Sequence, residues 1–499
     1  MARGENTQDH ADSASPSRRH ARARLHTTWC TACSLLLLAG CAHYKPHPLS
    51  PAEGARAFSE RTLDSPALRQ SVAPMLGAAA RSWPPAQWDR AELLAVAVVE
   101  NPQLAVMHAS VEVALAQQER VREWPNPDLT LQSEYSRGER YTWLYGVGFD
   151  FLLLAPRQRR LDLDIAHLAT LNSAWQVAEK TWEVRRALTA ALTDWRAAAN
   201  EEPLLSRLLE AQQRLVDMEE RRVRAGEDPP TELAAVRISL VETQQQLAQS
   251  RAAAGTAQAA VAAALGVLPT ALDGVQVEWT EWGQPPPLDP AEVSALREQA
   301  LLARADLAAA INDYADSEDR LQLAIARQYP QFHLEPGYYW DHGVGKLPVN
   351  LGLTLPLFNR NRGEIAEANA ERELAGKRML AVQAEIYGSI EAAMRADALS
   401  EESAETADRQ RKLADEQSQQ AELGLKAGAV SASERVAAQI VALRATIDSV
   451  EAHARRQAAR NVLEDAFHSP LSGPERALSG AFTQPAVVDV THVGRDAQR

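Results

Sequence analysis

The stretch that decides the fold is LGLTLPLFNRNRGEIAEANA, at residues 351–370. Leucine occupies every second position from Leu351 to Leu357, and a period of two is typical of a β-strand with one apolar face. After Asn359 the pattern changes to an alanine- and glutamate-rich run that predicts a long helix. A strand with an apolar face therefore passes almost directly into a long helix, with very little loop between them.

The same arrangement occurs earlier in the chain, in GVGFDFLLLAPRQRRLDLDIA at residues 146–166. Gly148 corresponds to Gly352, a shift of 204 residues, and further downstream Gly226 corresponds to Gly428, a shift of 202. Separate matches at a nearly constant shift indicate an internal duplication of about 200 residues per copy. Each copy reads as helix, strand, strand, long helix, tight turn and returning helix, and the long helices carry the seven-residue apolar repeat of a coiled coil.

Composition and motifs exclude several classes of function. The 499 residues carry a formal charge of −14, which argues against nucleic acid as a partner. Phosphate-binding glycine loops, zinc-protease motifs and serine-nucleophile turns do not occur in the sequence. The sequence therefore predicts a protein that is not an enzyme, with no catalytic, cofactor-binding or metal site.

The N-terminus resembles a bacterial lipoprotein signal. Basic residues precede a short apolar run, Leu35–Leu38, and small residues then lead to Cys41. The resemblance implies cleavage before Cys41, a covalent lipid such as palmitate on that cysteine, and, because Ala42 follows, the outer membrane. The alternative is a buried thiol at Cys41 in an N-terminal helix. The basic region is longer than usual for such a signal, which indicates a start codon downstream of Met1.

The strands of both copies alternate apolar and polar side chains, which predicts one face in lipid and the other lining water. Aromatic residues cluster near the strand ends, as in an interfacial belt. Four strands are too few to close a channel, and an open edge is excluded from lipid, so several chains must share the sheet. A half-buried soluble sheet is the alternative. Pro336, inside a strand, predicts a bulge. The residues predicted to face the lumen are Gln132, Glu134, Asp150, His333 and Glu335.

Residues 88–467 together resemble the TolC-type outer-membrane efflux and secretion channels. The marks are the Asn101-Pro102 entry, the strand starts at Pro127 and Pro330, and LPLFN running into Arg362-Gly363. The resemblance implies a mainly α protein with membrane β-strands. Three chains would form a twelve-stranded barrel, four strands per chain, continued by a long coiled-coil tube in the periplasm.

The resemblance also assigns roles at the helix–helix turns. Gly226 and Gly428 would mark the periplasmic turns that contact an adaptor protein. Glu232 and Glu434, each six residues beyond the matching glycine, would form an acidic pore constriction. The alternative is that these glutamates only favour the helix N-terminus.

Two residues depart from the family pattern at the second turn. Leu425 stands where the family has a gate aromatic, and Val430 stands where it has a basic residue. The interaction that closes this channel is therefore expected to differ from the usual one.

These observations predict the outer-membrane channel of a tripartite efflux system. It would passively conduct solutes delivered by an inner-membrane pump and a periplasmic adaptor, as a homotrimer in outer-membrane lipid. A conduit for type I protein secretion and a non-porous periplasmic coiled-coil scaffold lipoprotein are the alternatives. The predicted segments are a signal peptide (1–40), a lipidated segment (41–87), a first repeat (88–268), a linker (269–290), a second repeat (291–467) and a flexible tail (468–499).

Overall fold

A computed structural model of the chain describes residues 44–76, 83–138 and 140–478. The predicted signal peptide and Cys41 lie outside these residues. The chain divides into two units, Met1–Ala57 and Phe58–Arg499. The described part of the first unit carries most of helix α1 (Pro51–Ser59), in which every residue is exposed or half-buried.

The second unit is mainly helical, with one antiparallel sheet. Its helices are α2 (Pro66–Leu76), α3 (Arg90–Glu100), α4 (Pro102–Arg122), α5 (Pro156–Ala225), α6 (Pro230–Leu265), α7 (Pro290–Ala303), α8 (Ala305–Ala326), α9 (Arg362–Lys426) and α10 (Ala432–Phe467). Its strands are β1 (Asp128–Tyr135), β2 (Trp143–Leu153), β3 (Phe332–Asp341), β4 (Val344–Lys346) and β5 (Val349–Leu353). The elements follow one another in the same order in both halves: two short helices, the strands, and two long helices.

The long helices form two hairpins that pack against each other. At 70 residues, α5 is about 105 Å long at 1.5 Å per residue. It packs against α4, α6, α8 and α10, while α9 packs against α8 and α10. Asn101 caps α4 by accepting a hydrogen bond from the Gln103 N–H at 2.9 Å, and its side chain donates to the Ala264 carbonyl.

The hydrophobic core lies where the short helices meet the middle of α5 and α9 and the C-terminal ends of α6 and α10. One cluster joins α3, α5 and α6 around Trp182, and another joins α7, α9 and α10 around Phe467. A third cluster, with Leu208 and Val436, holds α5 against α10 further along the hairpins. Each cluster draws on segments far apart in sequence.

A buried ionic centre, formed by Arg185, Glu464 and Glu475, lies within this core. The Arg185 guanidinium lies 2.5 Å from Glu464 and 2.6 Å from Glu475, and all three side chains are about 1% exposed. Burial alone would raise the pKa of Glu475, but the guanidinium groups of Arg185 and Arg90 hold it below its ordinary value. Residues 468–478 are packed against the core, since Leu471, Glu475 and Leu478 are buried. This part of the chain therefore differs from the flexible tail predicted for 468–499.

His468 ends α10 next to this centre. Its backbone is left-handed, with a φ of 48°, and its ring stacks on Trp182 at 5.0 Å between centroids. Burial, and next the positive charge of Arg304, lower the pKa of His468 to about 3. The folded protein therefore holds this imidazole neutral.

The sheet has the order β1-β2-β3, with β4 and β5 both paired to the far edge of β3. Tyr339 pairs with Lys346 and Pro336 with Val349 in one register, so β4 and β5 are one strand interrupted at Leu347-Pro348. The sheet therefore has four strand positions.

The bulge predicted at Pro336 is wrong. The β2–β3 register is the same on both sides of this proline, with Gly148 opposite Gly337 and Phe151 opposite Leu334. No extra residue is inserted. The β2–β3 pairing is nevertheless interrupted at Phe149 and Asp150, beside Pro336, which has no backbone donor.

In the described part of the chain, no single helix has the length and apolar character to cross a membrane. The pair α3 and α4, bent by 52° at their junction, meets the length and composition criteria only when taken together.

Candidate functional site

One face of the sheet is apolar, and the described residues leave most of it uncovered. Leu131, on β1, is 75% exposed and Leu351, on β5, is 65% exposed. Such a contiguous exposed apolar surface marks an interaction site with lipid or protein. The strand registers place all of the following exposed residues on this face: Leu129, Leu131, Tyr135, Trp143, Tyr145, Phe149, Phe151, Leu153, Phe332, Tyr338, Trp340, Val349, Leu351 and Leu353.

The opposite face is polar, and it carries the five predicted lumen residues. Asp150 and His333 are brought together, with 3.0 Å between Asp150 Oδ1 and His333 Nδ1. Glu335 lies beside them on β3. Gln132 and Glu134 lie on the same face, on β1. Their role in a lumen stays a prediction.

Tyr339 shapes this polar face. A Cβ on Gly146 would lie 2.0 Å from the Tyr339 ring, and one on Gly337 would lie 2.8 Å from it. The ring therefore lies flat over the neighbouring strand only because glycine occupies those positions.

Aromatic side chains lie at both ends of the sheet. At one end Tyr135 and Trp143 pack with their ring centroids 5.1 Å apart. At the other end Arg159, in the first turn of α5, lies 4.2 Å from the ring of Trp124. The apolar face is thus bordered by aromatic rings at both ends of β1 and β2.

Each half of the chain passes from strand to long helix within a few residues. Two residues separate β2 from α5, and the residues 354–361 separate β5 from α9. The predicted strand continued to Leu357, whereas β5 ends at Leu353, because β3 begins at Phe332 and offers no partner beyond it. Asn361, in a left-handed conformation at a φ of 57°, donates its side-chain N–H to the Ala324 carbonyl at 2.8 Å and starts α9.

The two helix–helix turns each depend on a left-handed glycine. Gly226 has a φ of 78° and Gly428 a φ of 72°, and a Cβ on either would meet no atom within 4 Å. The Glu227 N–H donates to the Arg222 carbonyl at 2.9 Å and closes the first turn. Glycine is therefore required here by backbone conformation rather than by space.

Arg222 connects the two turns, and no sequence signal identifies this role. Its guanidinium forms a two-pronged contact with Asp228 in its own turn, at 2.9 and 2.8 Å. It also donates to the Ser433 hydroxyl of the second turn at 3.2 Å. A basic residue in the last turn of a helix is common, so the sequence reveals nothing about the partner on the other hairpin.

The two predicted constriction residues have different surroundings. Glu434 accepts a hydrogen bond from the Ser431 N–H at 2.7 Å, and the Ser431 hydroxyl accepts one from the Glu434 N–H at 3.1 Å. This capping box lowers the pKa of Glu434. Glu232, exposed in the first turn of α6, instead lies beside Glu219 and Asp228, with one carboxylate oxygen of each within 4.8 Å of the others. The placement of Glu232 and Glu434 in a common pore stays a prediction.

Of the two residues that depart from the family pattern, Val430 has a packing role. Val430 lies over Gly424, where a Cβ would be 2.6 Å from its side chain. Leu425 lies one residue before the end of α9 and is only partly buried.

The family model for outer membrane efflux proteins matches residues 93–267 and 296–467. No curated protein sequence matches the chain.

Solved structures of outer membrane proteins, two of them described as channels, have a similar fold. VceC from Vibrio cholerae is 15% identical, with a TM-score of 0.62 over 77% of this chain and 97% of its own. CmeC from Campylobacter jejuni is 13% identical, with a TM-score of 0.62 over 90% and 98%. The open state of MtrE from Neisseria gonorrhoeae is 17% identical, with a TM-score of 0.59 over 75% and 88%. Since the family model matches both halves of the chain, this protein of the bacterial outer membrane belongs to the outer membrane efflux protein family.

Proposed function

We propose that three copies of this chain form a passive channel that spans the outer membrane and extends into the periplasm. Solutes would reach it from an inner-membrane pump through a periplasmic adaptor, and the pump would supply the energy. The observation that carries this proposal is the sheet with a largely exposed apolar face and a polar face behind it.

The sheet supports a barrel shared between chains. Its two outer edges, on β1 and on the β4–β5 strand, have no partner strand among the described residues. An unpaired backbone edge in hydrocarbon costs several kcal/mol for each group, so an apolar face in lipid requires a closed sheet. Joining β1 of one chain to β4–β5 of the next closes it, and three chains supply twelve strand positions.

The long helices support the same assembly. Helix α9 leaves a series of large apolar side chains exposed, and a second copy of the chain would cover them. The exposed residues of α9 are Leu374, Leu380, Tyr387, Leu399, Leu413 and Leu423. A non-porous scaffold leaves both these residues and the apolar sheet face exposed to water, which makes it the poorer explanation.

The remaining parts of the proposal concern the two ends of the protein. Lipid on Cys41 would anchor the N-terminus in the outer membrane. The turns at Gly226 and Gly428 would contact the adaptor, with Glu232 and Glu434 forming an acidic constriction behind them. A conduit for protein secretion would use the same architecture, but no contact in the described residues favours a protein over small solutes.

The test uses the mature protein extracted from outer membranes in mild detergent. Its mass, corrected for detergent, should be that of a trimer, and it should conduct ions in a planar bilayer with a preference for cations. Combining Glu232→Gln with Glu434→Gln should reduce that preference.

The outcomes separate the parts of the proposal. A conducting trimer with unchanged selectivity in the double variant would remove the constriction and keep the channel. A monomer that never conducts would disprove the channel.

A further inference from the structure

We propose that Glu219, Asp228 and Glu232 bind one divalent alkaline-earth cation, Ca²⁺ or Mg²⁺, at the turn between α5 and α6. Glu219 lies near the end of α5, Asp228 in the turn, and Glu232 in the first turn of α6. One carboxylate oxygen of each residue lies within 4.8 Å of those of the other two. All three ligands come from one chain, so ion binding does not require the proposed trimer and is measured without conduction; Glu232 is also one of the two proposed constriction residues.

The burial of Glu219 is the second, separate observation. The residue is 6% exposed, and its Oε2 has no hydrogen-bond donor among the described residues. The nearest cation, Arg222, lies 3.6 Å from the other carboxylate oxygen, Oε1. A buried carboxylate oxygen without a donor is costly, and a cation held among the three neighbouring carboxylates would satisfy it.

The charges at the turn leave room for a divalent ion. The three carboxylates carry three negative charges, while the single guanidinium of Arg222 is already occupied by Asp228. Two negative charges therefore remain uncompensated. Carboxylate oxygens are the ligands that Ca²⁺ and Mg²⁺ prefer, and water completes their coordination.

A proton is the competitor of the cation. Burial, and next the neighbouring Asp228 carboxyl, raise the pKa of Glu219. Metal binding requires the deprotonated carboxylate, so the affinity should increase with pH.

The duplication provides an internal comparison. At the shift of 202 residues, Ala421 and Val430 occupy the positions of Glu219 and Asp228 in the second turn, and only Glu434 retains a carboxylate. The second turn nevertheless forms the same left-handed glycine turn. The turn itself therefore does not require Glu219 and Asp228. Asp228 pairs with Arg222, and a bound cation would account for the buried Glu219 beside it.

A cation at this site would join the end of α5 to the start of α6. Because Arg222 contacts both Asp228 and Ser433, the second turn would be held through the same group. The ion would thus stabilise the pair of turns that the proposed adaptor contacts.

The test uses the full chain in detergent after its metal ions have been removed with EDTA. This protein is titrated in a calorimeter, first with CaCl₂ and then with MgCl₂. We expect one ion per chain at pH 8, and an affinity at least about tenfold weaker in Glu219→Gln. Glu220→Gln is the matched control, because Glu220 is adjacent but pairs with Arg224 and Arg237 instead. It should bind as the wild type does.

Glu232→Gln changes an exposed residue, so it tests the site if Glu219→Gln fails to fold. It should weaken binding as well. The proposal is overturned if the wild type binds neither ion at pH 8, or if Glu219→Gln and Glu232→Gln both bind as tightly as the wild type. Equal losses in Glu220→Gln also overturn it, since they would indicate diffuse attraction to an acidic surface.

Discussion

Leu131 provides the sharpest test of whether the apolar face of the sheet lies in lipid. It is the fourth of eight residues in β1, and it pairs with Val147, which in turn pairs with Tyr338. This row lies near the middle of the strands and therefore near the middle of the proposed membrane span. Thr130 is its neighbour on the same strand, exposed on the opposite, polar face and paired with Gly148.

Leu131→Arg should destabilise the assembled sheet far more than Thr130→Arg. An arginine on the lipid face near the bilayer midplane costs about 2–4 kcal/mol per chain. Since about 1.4 kcal/mol is a factor of ten, the folded population should decrease about 30-fold to 700-fold relative to the unfolded one. Thr130→Arg should cost within about 1 kcal/mol, because its guanidinium reaches water and meets only a glycine across the strand pair.

The assay is urea unfolding of the protein reconstituted in lipid vesicles, followed by tryptophan fluorescence, with both variants measured in the same lipid. A further measurement in detergent should reduce the difference between them, because water reaches the sheet more easily there. Equal costs for the two variants, or a harmless Leu131→Arg, would refute the reasoning. The apolar face would then be covered by protein or be partly hydrated.

Three other changes test the helical part by thermal or urea unfolding. Arg185→Met leaves two buried carboxylates without their main cation and should cost about 3–5 kcal/mol; a loss under 1 kcal/mol would show that water reaches the centre. Gly226→Ala should destabilise the protein by about 1–2 kcal/mol, because its backbone is left-handed. Gly255→Ala lies inside α6, where the new Cβ meets no atom within 4 Å, and it should stabilise the protein by about 0.5–1 kcal/mol. Equal effects of the two substitutions would contradict this reasoning. The unfolded chain protonates His468 near pH 6.5 and the folded chain only near 3, so the wild type should lose stability as the pH falls from 6.5 towards 3. His468→Gln should lose less over that range, and parallel curves would exclude this contribution.

The sequence alone predicted the order of the elements and the two faces of the sheet. Both depend on local periodicity, since a period of two assigns alternate residues to opposite faces wherever the strand lies. The glycine turns were predictable for the same reason, because a left-handed residue at a helix end is required locally. The duplication strengthened each prediction by presenting it twice.

The tertiary structure decided what depends on residues distant in the chain. It ends β5 at Leu353 where its partner ends, and it retains the register through Pro336, because pairing is set by the neighbouring strand. It brings Arg185 to Glu475, 290 residues away, and Arg222 to Ser433 on the other hairpin. The sequence around a charged residue does not reveal its partner. An ion pair depends on where the two side chains lie in space, and not on the residues that flank either of them in the chain.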